Sequence, residues 1–438
     1  MVSSYKNQRT VVLFTAGFPF CRGGEEGFIG PEIEPLAQTF NRVILVPGRK
    51  LEKTAIDLKS FSNVEVDTTW LTCPKSGRVA LAVRTLASTW FWRGVLTADW
   101  RSLNMGFAGV LDYFRIVRGL VAFRGWFGRF VRAHGLSFDS TLFYSFWFDA
   151  EATALGLLSA ENKSIKVVTR VNGFDMFEFR AYPLVQLRKL RAHVMNGLLR
   201  IYPASDCGTE YLHALYPAAR QKIMTDYLGV RDLPPKREGS CEEAFRILSI
   251  SNVIALKRVD LVFRCLSALA RTFPEKEFAW THVGGGEQFE ALKKQVSDSR
   301  PANLSVKLHG AISNEDVRCL LARKSFDLGV HLSESEGGAP LAVLEMLGAG
   351  LPVVACDAGG VRECVNDDDG VLLPIEIDID SFAKEVRPLV EDSKLRERKA
   401  DAAAVLVAAK FRASDCRQRW AKKLVEVLRG ENRTAGRI

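Results

Sequence analysis

The chain has 438 residues, of which 47% are hydrophobic and 25% are charged, and its formal net charge is +9. Because one hydrophobic core rarely serves a chain of this length, we expect two domains. The composition is that of a soluble globular protein. No stretch reaches the roughly 18 uncharged apolar residues that a membrane-spanning helix needs, and the first residues lack the apolar segment of a signal peptide. The sequence therefore predicts neither feature.

Nine cysteines are scattered along the chain, and none of them forms a C-x-x-C pair. The lack of that pair disfavours a metal site or a redox motif. Unpaired cysteines are typical of reducing compartments. We therefore expect reduced thiols in a cytoplasmic protein and no bound metal.

The first half of the chain begins with a strand at "RTVVLFTAG", a glycine-rich loop at "CRGGEEGFIGPE", a helix at "IEPLAQTF" and a second strand at "RVILVPG". This order is a βαβ unit. Further on, "STLFYSFWFDAEATALGLL" predicts a strand that leads into a helix, "SIKVVTRVNGFD" a strand that ends in a loop, and "LLRIYPASDCGTEYLHALYP" a strand followed by a helix. We assign residues 1–230 to an N-terminal Rossmann-like domain.

The segment between Leu71 and Gly135 combines positive charge with Trp and Phe side chains, and only Asp99 and Asp112 oppose the charge. Its basic residues are Lys75, Arg78, Arg84, Arg93, Arg101, Arg115, Arg118, Arg124, Arg129 and Arg132. The pattern is typical of helices that contact an anionic membrane surface, with Trp92 and Trp126 against the lipid. A solvated helix face over an ordinary aromatic core is the alternative. Nucleic acid could use the same charge, but we find no motif for it.

A charged, proline-containing linker at residues 231–243 precedes a more regular second half. Strands are predicted at "AFRILSIS", "EFAWTHVG", "LSVKLHG", "FDLGVHLS", "LPVVACD" and "GVLLP". Helices are predicted between them at Val259–Thr272, Glu287–Ser297, Asn314–Arg323 and Leu341–Gly350. This alternation predicts a parallel, doubly wound α/β domain over residues 244–412. A last helical stretch, residues 413–438, could return to the first domain.

Two loops of the second half are suited to a diphosphate or a nucleotide. In "SISNVIALKRVDL" a strand leads through a polar loop to a helix, and Lys257 and Arg258 lie near the helix start, where cations and free N–H groups bind phosphate well. In "THVGGGEQFEAL" the glycines Gly284 to Gly286 allow close approach of a ligand. Their spacing is not the full G-x-G-x-x-G, so NAD binding is disfavoured.

The stretch "SESEGGAPLAVLEMLGAG" places two carboxylates around a glycine-rich turn. Glu345 falls in the second turn of a predicted helix, where its carboxylate can accept both hydroxyls of a ribose. Glu336 lies on the loop, where it can bind hydroxyls of a hexose, and the N–H groups from Gly337 and Gly338 onward can face phosphates. Two carboxylates in this glycine setting favour a sugar ligand over solvated charges.

At these residues the chain resembles the retaining GT-B glycosyltransferases of glycosyltransferase family 4, and in particular bacterial members that build capsule, exopolysaccharide or lipopolysaccharide. The resemblance is carried by the two loops above, by "SESEGGAPLAVLEMLGAGLPVVACDAGGVRECV" and by "DDGVLLP", and more loosely by "FPFCRGGEEGFIGPEIEPLAQTF", "TRVNGFDMFEFR" and "SDCGTEYLHALYP". It implies a GT-B architecture, in which two Rossmann-like parallel-sheet domains face each other across a cleft.

The resemblance also implies roles for individual residues. Lys257, with Arg258 and Glu336, would act in catalysis by stabilising the diphosphate and holding the transferred sugar. The donor-binding residues would be Gly23, Gly24, Asn252, Gly284, Gly286, Gly337, Gly338 and Glu345. The acceptor-side residues would be Arg170, Asn172 and Asp175.

Three positions depart from the family pattern. Asn252 stands where the family has an arginine, and we expect Arg258 to substitute for it. The two glutamates lie nine residues apart instead of eight, so the loop that carries Glu336 has one extra residue. Asn172 stands where the family has a histidine, and an asparagine cannot act as a base at neutral pH.

The resulting hypothesis is that the protein is a hexosyltransferase. It would move a sugar from a nucleotide donor to a lipid-linked or oligosaccharide acceptor with retention of the anomeric configuration. Fixed cations and helix N-termini would stabilise the leaving diphosphate without a metal or other cofactor. The enzyme would be cytoplasmic and peripherally associated with the inner face of the cytoplasmic membrane. A nucleotide-sugar 2-epimerase on the same fold and a non-catalytic binding subunit are the alternatives.

Overall fold

The computed structural model describes residues 8–21, 25–52, 56–73, 78–92, 107–177, 188–231, 244–323 and 326–431. The chain divides into two compact units. The first unit comprises residues 1–204, 208–226 and 417–438, and the second comprises residues 205–207 and 227–416. The second unit therefore begins before the linker, whose residues 232–243 lie outside the described residues.

The first unit is built on a six-stranded parallel sheet with the strand order β3-β2-β1-β4-β5-β6. The strands are β1 (Thr10–Thr15), β2 (Arg42–Pro47), β3 (Val64–Val66), β4 (Thr141–Ser145), β5 (Lys166–Val171) and β6 (Arg200–Pro203). The described helices are α1 (Glu25–Thr39), α2 (Arg78–Leu86), α3 (Phe107–Ala133), α4 (Ala150–Glu161), α5 (Gly173–Met176), α6 (Arg188–Gly197) and α7 (Asp206–Leu215). Strands β1 and β4 are buried along their whole length, as expected of a parallel sheet covered on both faces.

The second unit has another six-stranded parallel sheet, with the order β12-β11-β10-β7-β8-β9. The strands are β7 (Phe245–Ile250), β8 (Phe278–Val283), β9 (Leu304–Leu308), β10 (Leu328–His331), β11 (Val353–Cys356) and β12 (Gly370–Leu373). The α-helices are α8 (Val259–Thr272), α9 (Phe289–Ser299), α10 (Asn314–Arg323), α11 (Leu341–Gly348), α12 (Ile379–Glu391) and α13 (Ser393–Leu406). The prediction of two doubly wound α/β units is confirmed.

The last described helix, α14 (Ala413–Arg429), follows a π-helical turn at Val407–Phe411. Its residues from Arg417 onward pack with the first unit. There the Trp420 ring lies under the guanidinium of Arg170, with the guanidinium carbon 3.9 Å from the ring centroid. Lys423 forms an ion pair with Asp226. The C-terminal segment therefore completes the core of the unit in which the chain begins.

Helix α1 begins at Glu25, eight residues before the helix that the sequence predicts. Pro31 and Pro35 lie inside this helix, although proline usually begins or ends one. The buried residues of α1 are Ile29, Glu32, Ile33 and Leu36. Their spacing is that of one helical face, so packing against the sheet outweighs the local cost of the prolines.

Helix α3 corrects the interpretation of the aromatic segment. Trp126 is only 3% exposed, and the neighbouring rings Phe123, Phe127 and Phe130 are buried with it in the core of the first unit. The Trp126 indole donates a hydrogen bond to Thr69 at 2.9 Å. Trp126 thus belongs to the core and not to a lipid-facing surface, whereas Trp92 is 53% exposed.

Candidate active site

The candidate site of the second unit lies at the carboxyl edge of its sheet. Lys257 follows β7, Gly284 follows β8, Glu336 follows β10 and Gly359 follows β11. In open parallel sheets this edge is where ligands bind. The fold therefore brings together residues that the sequence separates by up to about 100 positions.

Glu336 is held by two donors on one oxygen. Lys257 forms an ion pair with Oε1, and Nε2 of His331, the last residue of β10, lies 2.8 Å from the same atom. Burial raises the pKa of Glu336, but the hydrogen bond from His331 and the charge of Lys257 outweigh it and lower the pKa to about 2. Glu336 is therefore a carboxylate at every physiological pH.

The loop that carries Glu336 is tied to the loop that carries Lys257. The backbone N–H of Glu334 donates to the carbonyl of Leu256 at 2.9 Å, and the Ser333 hydroxyl donates to the same carbonyl at 3.2 Å. Since both loops leave the sheet from adjacent strands, these bonds fix the distance between the lysine and the glutamate.

Gly359 explains the glycine pair that follows β11. Its φ is +58°, and a Cβ at this position would lie 1.9 Å from the carbonyl oxygen of Glu336. No other residue fits, because both the backbone conformation and the space require glycine. The pair thus packs directly against the backbone of the loop that carries Glu336.

Gly284 plays a similar part beside the Lys257 loop. Its φ is +141°, and a Cβ would meet the Ser251 carbonyl at 1.8 Å. The neighbouring N–H of Val253 donates to the carbonyl of Gly285 at 2.8 Å. The structure thus gives Gly284 a packing role, and a Cβ at Gly286 would likewise clash with Val253. Their contact with a nucleotide stays a prediction.

Glu345 lies in the second turn of α11, as predicted, and its side chain is mostly buried. Burial raises the pKa of Glu345 to about 7, although the charges of Arg318 and Arg231 lower it. Among the described residues, none donates a hydrogen bond to this carboxylate. A partly buried carboxylate without a donor is costly in a ligand-free protein and is suited to a ligand that brings two hydroxyls.

Arg258 lies beside Lys257 in the sequence but is directed elsewhere. Its guanidinium donates to the carbonyls of Leu332 and Ile375, both at 2.8 Å, and contacts Cys356 Sγ at 3.2 Å. These contacts tie together the ends of three strands. The geometry therefore favours a structural role for Arg258, and not the expected role as a substitute for the family arginine. The Asn252 side chain, which stands at the position of that arginine, is exposed.

Two of the three predicted acceptor-side residues are interior residues of the first unit, which corrects that expectation. Arg170 is 1% exposed and pairs with Glu32 at 3.1 Å. Burial alone would lower the pKa of Arg170, but the surrounding carboxylates raise it. Asp175 is fully buried and accepts the N–H groups of Phe148 and Asn172. Burial raises the pKa of Asp175 to about 6, against the opposing charge of Arg191.

Asn172 caps α5 and is half-buried, so it remains within reach of a ligand. Gly23 and Gly24, predicted to contact the donor, lie outside the described residues. Immediately after them, the Glu25 carboxylate accepts the N–H groups of Ala16, Gly17 and Phe18 at 2.7, 2.6 and 2.9 Å.

The role of Glu25 was not foreseen. The Trp147 indole donates to the same carboxylate at 2.7 Å, so Glu25 joins the loop after β1 to the loop after β4. Its place directly after the glycine pair was the only signal in the sequence. His331 was also missed, although it lies five residues before Glu336.

The part of the chain that the structure describes holds no group of three or more His, Cys, Asp or Glu side chains that could bind a metal ion. The acidic "NDDDG" segment forms a turn before β12, as predicted. In this turn the Asp369 side chain is buried and accepts a hydrogen bond from the backbone N–H of Asn366. Within the same described residues, no helix is long and apolar enough to cross a membrane.

Comparison with known proteins agrees with this geometry. Residues 231–405 match the family model of "Glycosyl transferases group 1". N-acetyl-alpha-D-glucosaminyl L-malate synthase of Bacillus anthracis is 26% identical over 283 residues, which cover 61% of this chain and 69% of that protein. A GDP-mannose-dependent alpha-(1-6)-phosphatidylinositol monomannoside mannosyltransferase of Mycolicibacterium smegmatis is 30% identical over 195 residues, 42% of this chain and 47% of that protein. The chain spans between 25% and 69% of the length of the curated relatives it matches.

Solved structures show the same fold at low identity. HepE of Anabaena in complex with UDP-glucose has a TM-score of 0.62 at 16% identity, over 95% of this chain and 99% of that one. Sucrose-phosphate synthase of Thermosynechococcus elongatus has a TM-score of 0.69 at 12% identity, over 97% and 100% of the two chains. These structures share the fold of the chain, and the predicted α/β class with two parallel-sheet domains is confirmed.

Proposed function

We propose that this chain, whose residues 231–405 match the family model of the group 1 glycosyl transferases, transfers a hexose from a nucleotide sugar to a saccharide acceptor with retention of configuration. The carrying observation is Glu345, a mostly buried carboxylate without a hydrogen-bond donor among the described residues, nine residues after the Lys257-bound Glu336. The Glu345 carboxylate is suited to the two hydroxyls of a ribose, and the Lys257 cation beside Glu336 is suited to the diphosphate of a nucleotide.

In this proposal the second unit binds the donor. Lys257 and the N–H groups of the Gly337 loop stabilise the diphosphate as the bond between it and the anomeric carbon breaks. The acceptor hydroxyl oxygen forms the new bond on the same face, and its proton passes to an oxygen of the leaving phosphate. No protein nucleophile is required, and we expect no metal requirement, so that a chelator leaves the rate unchanged.

A thermal-shift screen with UDP, GDP and their sugars tests the donor site. A ligand that binds only the native state raises the unfolding midpoint as its concentration rises, so one nucleotide and its sugar should do so. Radiolabelled donor incubated with membrane lipid extract should then label a lipid fraction. Product analysis without acceptor separates transfer from 2-epimerisation. No midpoint shift with any nucleotide sugar contradicts the proposal.

We further propose that the acceptor is lipid-linked, in the synthesis of a bacterial surface polysaccharide at the inner face of the cytoplasmic membrane. The support is one face of α3, which carries Arg115, Arg118, Arg129 and Arg132 at helical spacing. No acidic residue occurs between Tyr113 and Ala133. Arginines on one helix face are attracted to anionic lipid.

Apolar side chains accompany this basic face. Val83, Leu86 and Trp92 are among the exposed large hydrophobic residues, and Phe91 packs on Phe114 of α3 with ring centroids 6.1 Å apart. Basic residues next to exposed apolar ones fit the interface of a bilayer better than a purely solvated helix.

Replacing Arg118, Arg129 and Arg132 with glutamate should lower binding to anionic phospholipid vesicles at least about tenfold, since each arginine contributes roughly 1 kcal/mol at such a surface. Vesicle co-sedimentation at two salt concentrations measures it, with neutral phosphatidylcholine vesicles as the lipid control. Lys293→Glu, which changes an exposed cation of the second unit, should have little effect. Equal binding by the triple variant would rule out docking through α3.

A further inference from the structure

His331 and Lys257 compete for one atom of the candidate site. Both contact Oε1 of Glu336, while Oε2 has no hydrogen-bond partner among the described residues. Glu336 is 9% exposed and His331 is 5% exposed. The two donors therefore fix the carboxylate in one orientation and leave a single acceptor oxygen for a ligand.

When a nucleotide sugar binds, its diphosphate is a second anion that can attract the ammonium group of Lys257. If its ammonium group moves toward the diphosphate, the ion pair with Glu336 weakens. A buried carboxylate that loses its cation is strongly disfavoured unless another donor remains. His331 is the only other donor to this carboxylate among the described residues.

We propose that His331 is a positioning residue that keeps Glu336 oriented while Lys257 serves the diphosphate, so that Oε2 accepts a hydroxyl of the transferred sugar. This inference rests on the proposed function. It assigns His331 to the reaction without contact with the donor: the histidine acts through Glu336. The ligand-free ion pair is then a resting arrangement that donor binding opens.

The position of His331 supports this role. It ends β10, so its backbone is fixed by the central strands of the sheet, where β10 pairs with β7 and β11. Leu328 and Val330, which lie on the opposite face of β10 from His331, belong to the hydrophobic core. A histidine at the end of such a strand can project its ring toward the carboxyl edge with little conformational freedom, which is what orientation of a neighbouring side chain requires.

The test compares His331→Phe with His331→Gln. Phenylalanine removes the donor, and we expect the turnover number for transfer to fall about tenfold to a hundredfold while the dissociation constant of the nucleoside diphosphate changes by less than about threefold. Glutamine can place an N–H near the former Nε2, and it should restore the turnover number to within about fivefold of wild type. His213→Phe is the matched control, because among the described residues the His213 ring is hydrogen-bonded only to the Ile223 carbonyl of the first unit.

Each outcome separates positioning from a merely structural role. Parallel loss of nucleotide binding and turnover in His331→Phe, with a lowered unfolding midpoint, overturns the proposal, as does a glutamine variant no better than phenylalanine. Unchanged turnover in both variants also overturns it. If the wild-type protein binds no nucleotide sugar, the proposed function fails first; if it binds and transfers sugar normally while His331 is dispensable, only this inference fails.

Discussion

Replacing Lys257 with alanine is expected to lower the turnover number for sugar transfer by about two to three orders of magnitude, the usual effect of removing a preorganised charge partner of a leaving group. The reason lies in the charge that develops on the diphosphate as the glycosidic bond breaks. Lys257 is fixed beside Glu336 by the ties between the two loops, so little reorganisation is needed during the reaction.

The same substitution changes the environment of Glu336. Without the lysine, only His331 opposes the burial that raises the pKa of this carboxyl, so the pKa should move upward. We therefore expect Lys257→Ala to discriminate less well between donors that carry different sugars, in addition to transferring the sugar more slowly. Steady-state kinetics with the donor that the thermal-shift screen identifies will measure both, and Lys293→Ala is the control for loss of a surface lysine. If Lys257→Ala has the kinetics of the wild type, Lys257 does not take part in sugar transfer.

Sequence reasoning succeeded where regular patterns extend over many residues. All six strands of the second unit were predicted, and α8 and α10 have the predicted bounds, because buried parallel strands and amphipathic helices leave strong patterns. Helices α12 and α13 were not predicted, although Asp378 and Asp392 precede them and cap them, accepting N–H bonds from Ser381 and Leu395 at 2.9 and 3.0 Å. An aspartate at the N-cap is a recognised start signal of a helix, so both helices could have been predicted from these two residues.

The site was predicted in part, and the limit is physical. Lys257, Glu336 and Glu345 could be named because each follows a strand in a glycine-rich setting. Burial in the tertiary structure could not be foreseen, which is why Arg170, an interior partner of Glu32, was placed on the acceptor side. His331 was missed for the opposite reason: one histidine at a strand end carries no pattern until the fold places it beside a carboxylate.

Changing Glu345 to alanine should weaken the binding of a nucleotide sugar by about tenfold to a hundredfold, since a pair of hydrogen bonds to a charged group is lost. The effect should depend on pH. The pKa of Glu345 is raised to about 7 by burial, so the carboxyl is largely neutral below that pH and ionised above it. Only the ionised form can accept both ribose hydroxyls. Affinity should therefore rise about tenfold from roughly pH 6 to pH 8 in the wild-type protein.

Glu345→Gln provides the sharper test, because glutamine keeps the shape of the side chain and does not titrate. Calorimetry with a nucleotide sugar is suitable, since its fully substituted diphosphate has no proton to lose in this range. Between the lowered pKa of the bound state and the pKa of about 7 of the ligand-free state, binding to the wild type should release a proton, seen as a dependence of the binding heat on the buffer. The glutamine variant should bind more weakly at pH 8 and with an affinity independent of pH. The same raised pKa makes the ligand-free fold less stable as the pH rises from about 4.5 to about 7, so glutamine should remove that loss. An identical pH slope in both proteins would mean that another group controls binding, and Glu345 would no longer mark the ribose.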